Sequence, residues 1–348
     1  MTPNLLTWIL NNNPADDFPL KYLLTASERP APLELLAPEW IDIPTISLAQ
    51  THFNNLSDLQ RLVNDVCAAS VSYGMFQVVD HNVSASVLTE AMRESVGFFS
   101  LPNQQLEAFS APLYGHRFLY SSSQAHASGQ DTEHYYWRDA LTLGLNSPRP
   151  TQGWPTQPPE LRSRLWEFAS QVKPLENRIL SLINQGLGLR PNYFTSKGLN
   201  EKSAIVVNHY PLCPHPTWTC GMSRHADPNL LTISFQGGAN GLQIWRDGEW
   251  KLVVPSRNAL LVTLGRQMEI VSNGILKPAE HRVIVNSQAP RTSISYFSGP
   301  SNTCIVGPAE DLTRTMLPLY RNFRYGDFIR LHLENHRNTA AILPYFMC

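Results

Sequence analysis

The chain has 348 residues, a formal net charge of −1 and a pI near 6.8. That length can bury a large core as one elaborated domain or two closely joined ones, and near-neutrality leaves no electrostatic footprint for nucleic acid or an acidic membrane. No run reaches the roughly 18 apolar residues of a membrane span, and the five cysteines contain no C-x-x-C pair, so reduced thiols in a cytoplasmic monomer are the expectation.

In chain order, residues 1–40 are rich in proline and polar residues behind an amphipathic start with no basic n-region, and are expected to wrap the surface. Residues 41–46 predict a first strand. Over 56–71, Leu59, Leu62, Val63, Val66 and Cys67 recur at helical spacing. A buried strand is expected at 73–81 and a second helix at 86–99. Residues 108–157 read as irregular, with a strand at 135–139, and are assigned to the substrate entrance because loops on a rigid scaffold carry specificity. A long helix is expected from about 159 to 186. Residues 203–304 alternate strand-like runs with Gly, Pro and Asn turns, which suits a double-stranded β-helix, or jelly roll. After Pro308, Leu317, Tyr320, Phe323 and residues 328–333 predict a C-terminal helix across the barrel mouth. The division is therefore 1–40, 41–157, 158–200, 201–304 and 305–348, mainly β with flanking helices.

Within 201–304, His225 and Asp227 are one residue apart, a spacing that puts both side chains on one face of a strand. His281 is the third candidate ligand. Two histidines and a carboxylate on one face of an octahedron leave the opposite positions open, as in non-haem iron(II) oxygenases. Zinc competes for such a set, although the H-E-x-x-H spacing is absent. Arg291 offers a planar fork for a carboxylate, Ser293 lies on the same strand face, and Tyr210 offers a phenol. Together they suit a dicarboxylate whose other end, a 2-oxo acid, reaches the metal. His209 alternates away from Tyr210, and a packed role is expected for it. His52, His116, His126, His134, His215, His332 and His336 lack partners at metal spacing and read as structural or surface residues.

These residues sit in an ordered series: Asn208-His209-Tyr210-Pro211-Leu212-Cys213-Pro214, His225-Ala226-Asp227-Pro228-Asn229-Leu230-Leu231-Thr232, Gly241-Leu242-Gln243-Ile244, Ser272-Asn273-Gly274, Glu280-His281-Arg282 and Arg291-Thr292-Ser293. The series resembles the plant-type 2-oxoglutarate and iron(II)-dependent dioxygenases, nearest a branch that includes hyoscyamine 6-hydroxylase, salicylate hydroxylases and flavone synthases. The segments 41–46 and 73–81 resemble the same family, with Asn82 where relatives have Gly.

The resemblance implies His225, Asp227 and His281 as iron(II) ligands, and Arg291, Ser293 and Tyr210 as the 2-oxoglutarate site, bordered by Asn208. It further implies O2 as oxidant, ascorbate as helper, and succinate and carbon dioxide as products. Phe297 matches an aromatic that packs on substrate in flavonoid-oxidising relatives, a core phenylalanine being the alternative, and Trp137, Ala140 and Val206 complete the candidate substrate pocket. Anthocyanidin-synthase relatives carry lysine near Val206 and tyrosine near Ala140, and their absence argues against the same flavonoid pose. The implied activity is hydroxylation or desaturation of a small, largely apolar specialised metabolite. A flavonoid-like or phenolic substrate leads over an alkaloid or terpenoid, and a non-catalytic binding jelly roll is the distant alternative. Relatives often have Asn-Ile-Gly-Asp where this chain has Thr263-Leu264-Gly265-Arg266. Arg266 is expected to face solvent, the alternative being contact with an acidic or carbonyl-bearing substrate.

Overall fold

The computed structural model describes residues 18–32, 37–49, 55–109, 118–122, 125–127, 133–145, 153–256, 258–335 and 338–348, with the backbone alone for those between 118 and 134. The stretch 41–46, expected as one strand, is two: β1 (Trp40–Ile41) and β2 (Thr45–Ser47) join different sheets. Pro44 between them has no N–H to give a ladder. Helix α1 (Leu56–Tyr73) starts where the Asn55 side chain accepts the Asp58 N–H, and it ends at Gly74, whose φ of 65° closes the helix without a Cβ penalty. Strand β3 (Met75–Val79) follows, and Asn82 takes the left-handed conformation its place in the turn requires, at φ 63°. Next come α2 (Ala85–Phe99) and α3 (Asn103–Glu107).

The strand expected at 135–139 is instead a break. Strands β4 (Phe118–Ser122), β5 (Ala125–Ala127), β6 (Glu133–Tyr135) and β7 (Asp139–Gly144) leave residues 136–138 between the last two. There the Trp137 N–H donates to the Cys220 carbonyl and the Arg138 N–H to Tyr136, which takes both out of the ladder. The long helix α4 (Leu161–Gly186) and short α5 (Tyr193–Ser196) lead into the second half of the chain.

That half contains β8 (Lys202–Tyr210), β9 (Met222–His225), β10 (Leu231–Phe235), β11 (Leu242–Arg246), β12 (Glu249–Val253), β13 (Leu260–Leu264), helix α6 (Arg266–Val271), β14 (His281–Val283) and β15 (Arg291–Gly299). An eight-stranded sheet runs β2-β3-β13-β10-β15-β8-β7-β4 and a five-stranded sheet runs β1-β12-β11-β14-β9. Alternation along the large sheet divides its residues. Ile205, Val207, Ile233, Val262, Ile294 and Tyr296 join the apolar core shared with α1, α2 and α4. Their neighbours Val206, Asn208, Ser234, Leu261, Thr263, Ser293 and Ser295 turn to the other face, towards the small sheet, and line a cavity. Buried Glu176 of α4 ties the layers together by accepting from Tyr296 Oη at 3.3 Å, from Ser298 Oγ and from Lys173 Nζ at 2.9 Å. The two facing sheets with helices on the outer face form the double-stranded β-helix core expected from the sequence.

The C-terminal region holds β16 (Ile305–Val306), α7 (Glu310–Thr313), β17 (Phe323–Arg324), α8 (Tyr325–Glu334) and α9 (Thr339–Ile342). The helix expected to include Leu317 begins only at Tyr325. Pro318 disfavours helix at the residue before it, and Leu317 is left 87% exposed. Among the described residues, none of 305–348 lines the cavity between the sheets; Thr339 instead donates to the Ala226 carbonyl at 3.2 Å, beside it.

Candidate metal and co-substrate site

His225 ends β9 and His281 opens β14, and the two are register partners across the small sheet. Asp227 lies just beyond the strand expected to carry it, in a loop whose backbone is fixed by α6. The Arg266 N–H donates to the Asp227 carbonyl at 2.7 Å and the Gln267 N–H to Asn229 at 3.1 Å, so the first N–H groups of the helix are satisfied by the loop they hold. Gly265 permits this approach, because a Cβ there would stand 1.9 Å from the Asn229 carbonyl oxygen.

Each candidate ligand is aimed by a second group. His225 Nδ1 donates to the Ser223 carbonyl at 2.8 Å and His281 Nδ1 to Ala279 at 3.0 Å. A carbonyl only accepts, so both rings carry the proton on Nδ1 and turn an Nε2 lone pair inward. Thr232 Oγ1 donates to Asp227 Oδ2 at 2.6 Å, which leaves Oδ1 facing the imidazoles, 3.6 Å from His225 Nε2 and 3.8 Å from His281 Nε2. The three donor atoms lie within 4.8 Å of one another, a spacing one ion can bridge.

The second constellation lies on the large sheet. β8 and β15 pair without interruption, placing Arg291 opposite Tyr210, Ser293 opposite Asn208 and Ser295 opposite Val206. All six line the same cavity as the metal ligands, together with Phe297. Arg291 Nη2 donates to Gln236 Oε1 at 2.9 Å, whereas Nε and Nη1 are buried with no hydrogen-bond partner. Burial lowers the Arg291 pKa, opposed by the adjacent Tyr210 phenol. Buried guanidinium N–H groups without acceptors fit an absent carboxylate, and the cavity beside them opens onto the three donors. The donor set and the clamp therefore fit a metal with an acidic co-substrate in one cavity of about 110 Å³.

Other expected residues are placed differently. Trp137 is in the core: its indole donates to the Pro211 and Leu212 carbonyls and stacks on Phe18. Neither it nor Ala140, paired with Asn208 from β7, lines the cavity. Arg266 does not face solvent. It is 7% exposed and paired with Glu269 one helical turn on, which also accepts from Tyr320 Oη at 3.1 Å. His209 is packed as expected, stacked on Phe99 and 2.8 Å from Thr292 Oγ1, and desolvation pushes its pKa down to about 4. His215 stacks on Trp218, and His332 is buried beside Phe328. His52, His116 and His336 lie outside the described residues, as do the side chains of His126 and His134. The five cysteines are free, and burial pushes the Cys213 and Cys220 thiols up to about 12. Arg138, Thr232 and Gln236 line the cavity without having been singled out from the sequence.

Comparison with known proteins agrees with this geometry. Residues 201–300 match the family model described as the 2OG-Fe(II) oxygenase superfamily, and residues 43–164 match the N-terminal model of the non-haem dioxygenases in morphine synthesis. The chain is 31% identical over 334 residues to flavanone 3-dioxygenase 2 of Oryza sativa subsp. japonica, covering 95% of this chain and 94% of that protein. It is 34% identical over 271 residues to 2'-deoxymugineic-acid 2'-dioxygenase of Hordeum vulgare, covering 77% and 79%. The crystal structure of JOX2 in complex with 2OG, Fe and JA superposes with a TM-score of 0.82 at 27% identity, covering 96% of this chain and 93% of that one.

Proposed function

This chain belongs to the 2OG-Fe(II) oxygenase superfamily, and from that premise we propose that it hydroxylates or desaturates a small, largely apolar specialised metabolite, a phenolic or flavonoid-like body leading. The enzyme is a dioxygenase that uses iron(II), 2-oxoglutarate and O2. The observation that carries the residue assignment is one cavity holding both a preoriented two-histidine, one-carboxylate set and an arginine with buried N–H groups left over.

In this reading His225, Asp227 and His281 hold the metal, while Arg291, Ser293 and Tyr210 grip the far carboxylate of 2-oxoglutarate, with Asn208 beside it. When bound, iron(II) and 2-oxoglutarate activate dioxygen for removal of hydrogen from the substrate. The protein contributes position and electrostatics. The Ser223 and Ala279 carbonyls hold each ring's proton on Nδ1, which leaves Nε2 for the metal, and fix the ring planes. Thr232 fixes which Asp227 oxygen faces them, and the buried clamp holds its carboxylate where water does not compete. Val206 and Phe297, on the same sheet face, flank the substrate. Purified protein with iron(II), 2-oxoglutarate, ascorbate and oxygen should release succinate that rises with one class among flavanones, phenolic acids, tropane-type alkaloids and gibberellin precursors. Iron-independent succinate, or none with any class, contradicts the proposal.

A further inference from the structure

The segment His225-Ala226-Asp227 carries two of the three metal donors, yet strand β9 ends at His225, so Asp227 owes its place to the backbone of the loop. Two carbonyls of that segment are held from outside it. The Arg266 N–H, at the start of α6, donates to the Asp227 carbonyl at 2.7 Å, and Thr339 Oγ1, at the start of α9, donates to the Ala226 carbonyl at 3.2 Å. Ala226, Asp227 and Thr339 are all buried, so bulk water does not simply replace a donor lost here.

Both holds lead back to the C-terminal region. Tyr320 Oη donates to Glu269 Oε1 at 3.1 Å, and Glu269 pairs with the Arg266 guanidinium. One turn further on, the Leu319 N–H donates to Asn273 Oδ1 at 2.7 Å and Asn273 Nδ2 to the Leu317 carbonyl at 3.0 Å. The last residues of the chain close the circuit, since the Arg321 N–H donates to the Phe346 carbonyl at 2.9 Å and the Cys348 N–H to Leu319 at 3.0 Å. Helix α9 begins at Asn338, whose side chain accepts the Ala341 N–H, and its Ile342 is buried in the core with Phe323, Phe328 and Phe346. Thr339 therefore stands on a packed support. Asp227 Oδ1 lies 3.6 Å and 3.8 Å from the two Nε2 atoms, and a loop that drifts changes those separations while the β8–β15 ladder keeps the Arg291 clamp in place.

We propose that Thr339 is a positioning residue of the metal site: its hydroxyl fixes the backbone between His225 and Asp227, and through it the packing of the C-terminal region sets how tightly the metal is held. The proposal rests on the metal assignment above and adds a control that lies outside the cavity. Full-length T339V, which removes the donor, and T339S, which keeps the hydroxyl, provide the test. In metal-free protein, hydrogen exchange read by mass spectrometry should quicken about tenfold over residues 225–230 in T339V and stay unchanged over β8 and β15. Anaerobic titration should show iron(II) bound about tenfold more weakly in T339V, with 2-oxoglutarate affinity at saturating iron within about twofold of wild type. T339S should restore both the exchange rate and the iron affinity. Y320F, which cuts the second route at Glu269, should weaken iron in the same direction by about threefold.

Wild-type iron affinity in T339V overturns the proposal, and so does a T339S variant that behaves like T339V. A loss that extends to 2-oxoglutarate and to exchange across β8 and β15 also overturns it, because Thr339 would then act only on overall stability. If T339V does not fold, Y320F decides, and unchanged iron affinity in it counts against the proposal. Failure of the wild type to bind iron would break the metal assignment itself. The exchange measurement, made without metal, reads the hold of Thr339 on the loop separately.

Discussion

The two sheets hold their halves of the site by different means. On the small sheet the metal donors sit at strand ends or beyond them, with a register irregularity between His281 and Val283, so each is aimed by its own local hydrogen bond. On the large sheet the clamp residues belong to nine-residue strands paired along their whole length, down to the terminal pair Arg291–Tyr210, so the ladder places them. A site built from local bonds is sensitive at single atoms, whereas a site carried by a ladder loses a function without losing its shape.

The largest effect should come from the first kind. D227A or H281A removes a ligand, and we expect loss of iron binding and a fall in turnover of at least about thousandfold, read by anaerobic metal titration and succinate release. Near-normal iron binding in either variant would move the metal elsewhere. The large sheet has its own weak point in His209, which is buried behind the clamp. Its pKa of about 4 lies below the ordinary 6.5, because desolvation disfavours the charged ring. Stability from the neutral ring is fully present above pH 6.5 and is lost as pH falls to about 4, by about 3 kcal/mol. Denaturant melts across that window should show the loss, and H209Q should flatten it; an unchanged slope would remove His209 as its source.

Next, R291Q should raise the dissociation constant for 2-oxoglutarate about hundredfold while leaving iron affinity close to wild type. Coupled loss of both would show that the two halves are not independent. The smallest expected change is T232V, which frees Asp227 Oδ2 and should weaken iron about tenfold with 2-oxoglutarate affinity unaltered. No change in iron affinity would mean the loop backbone alone orients Asp227.

This contrast also explains what was legible in the sequence. Asn208, Tyr210, Arg291 and Ser293 follow from period-two alternation on strands that are continuous, so counting residues places them on one face. Counting fails where the strand breaks. Trp137 is expected in the substrate pocket, but the interruption at 136–138 sends Trp137 into the core and Arg138 into the cavity. Gln236 reaches the site through Arg291, which the pairing of β10 with β15 brings beside it, and Arg266 is buried together with Glu269 and with Tyr320 from the far C-terminal region. Such long-range partners leave no local pattern to read.

The central claim is that one cavity holds both a metal on the small sheet and an acidic co-substrate on the large one. Anaerobic dialysis of iron(II) against wild type, H281A and R291Q, with and without 2-oxoglutarate, tests it most directly. The account predicts a single iron(II) ion per wild-type chain, held more tightly with 2-oxoglutarate present, no bound iron in H281A, and in R291Q a bound ion whose affinity no longer responds to 2-oxoglutarate. Iron retained by H281A, or an R291Q protein that still responds to 2-oxoglutarate as wild type does, would contradict it.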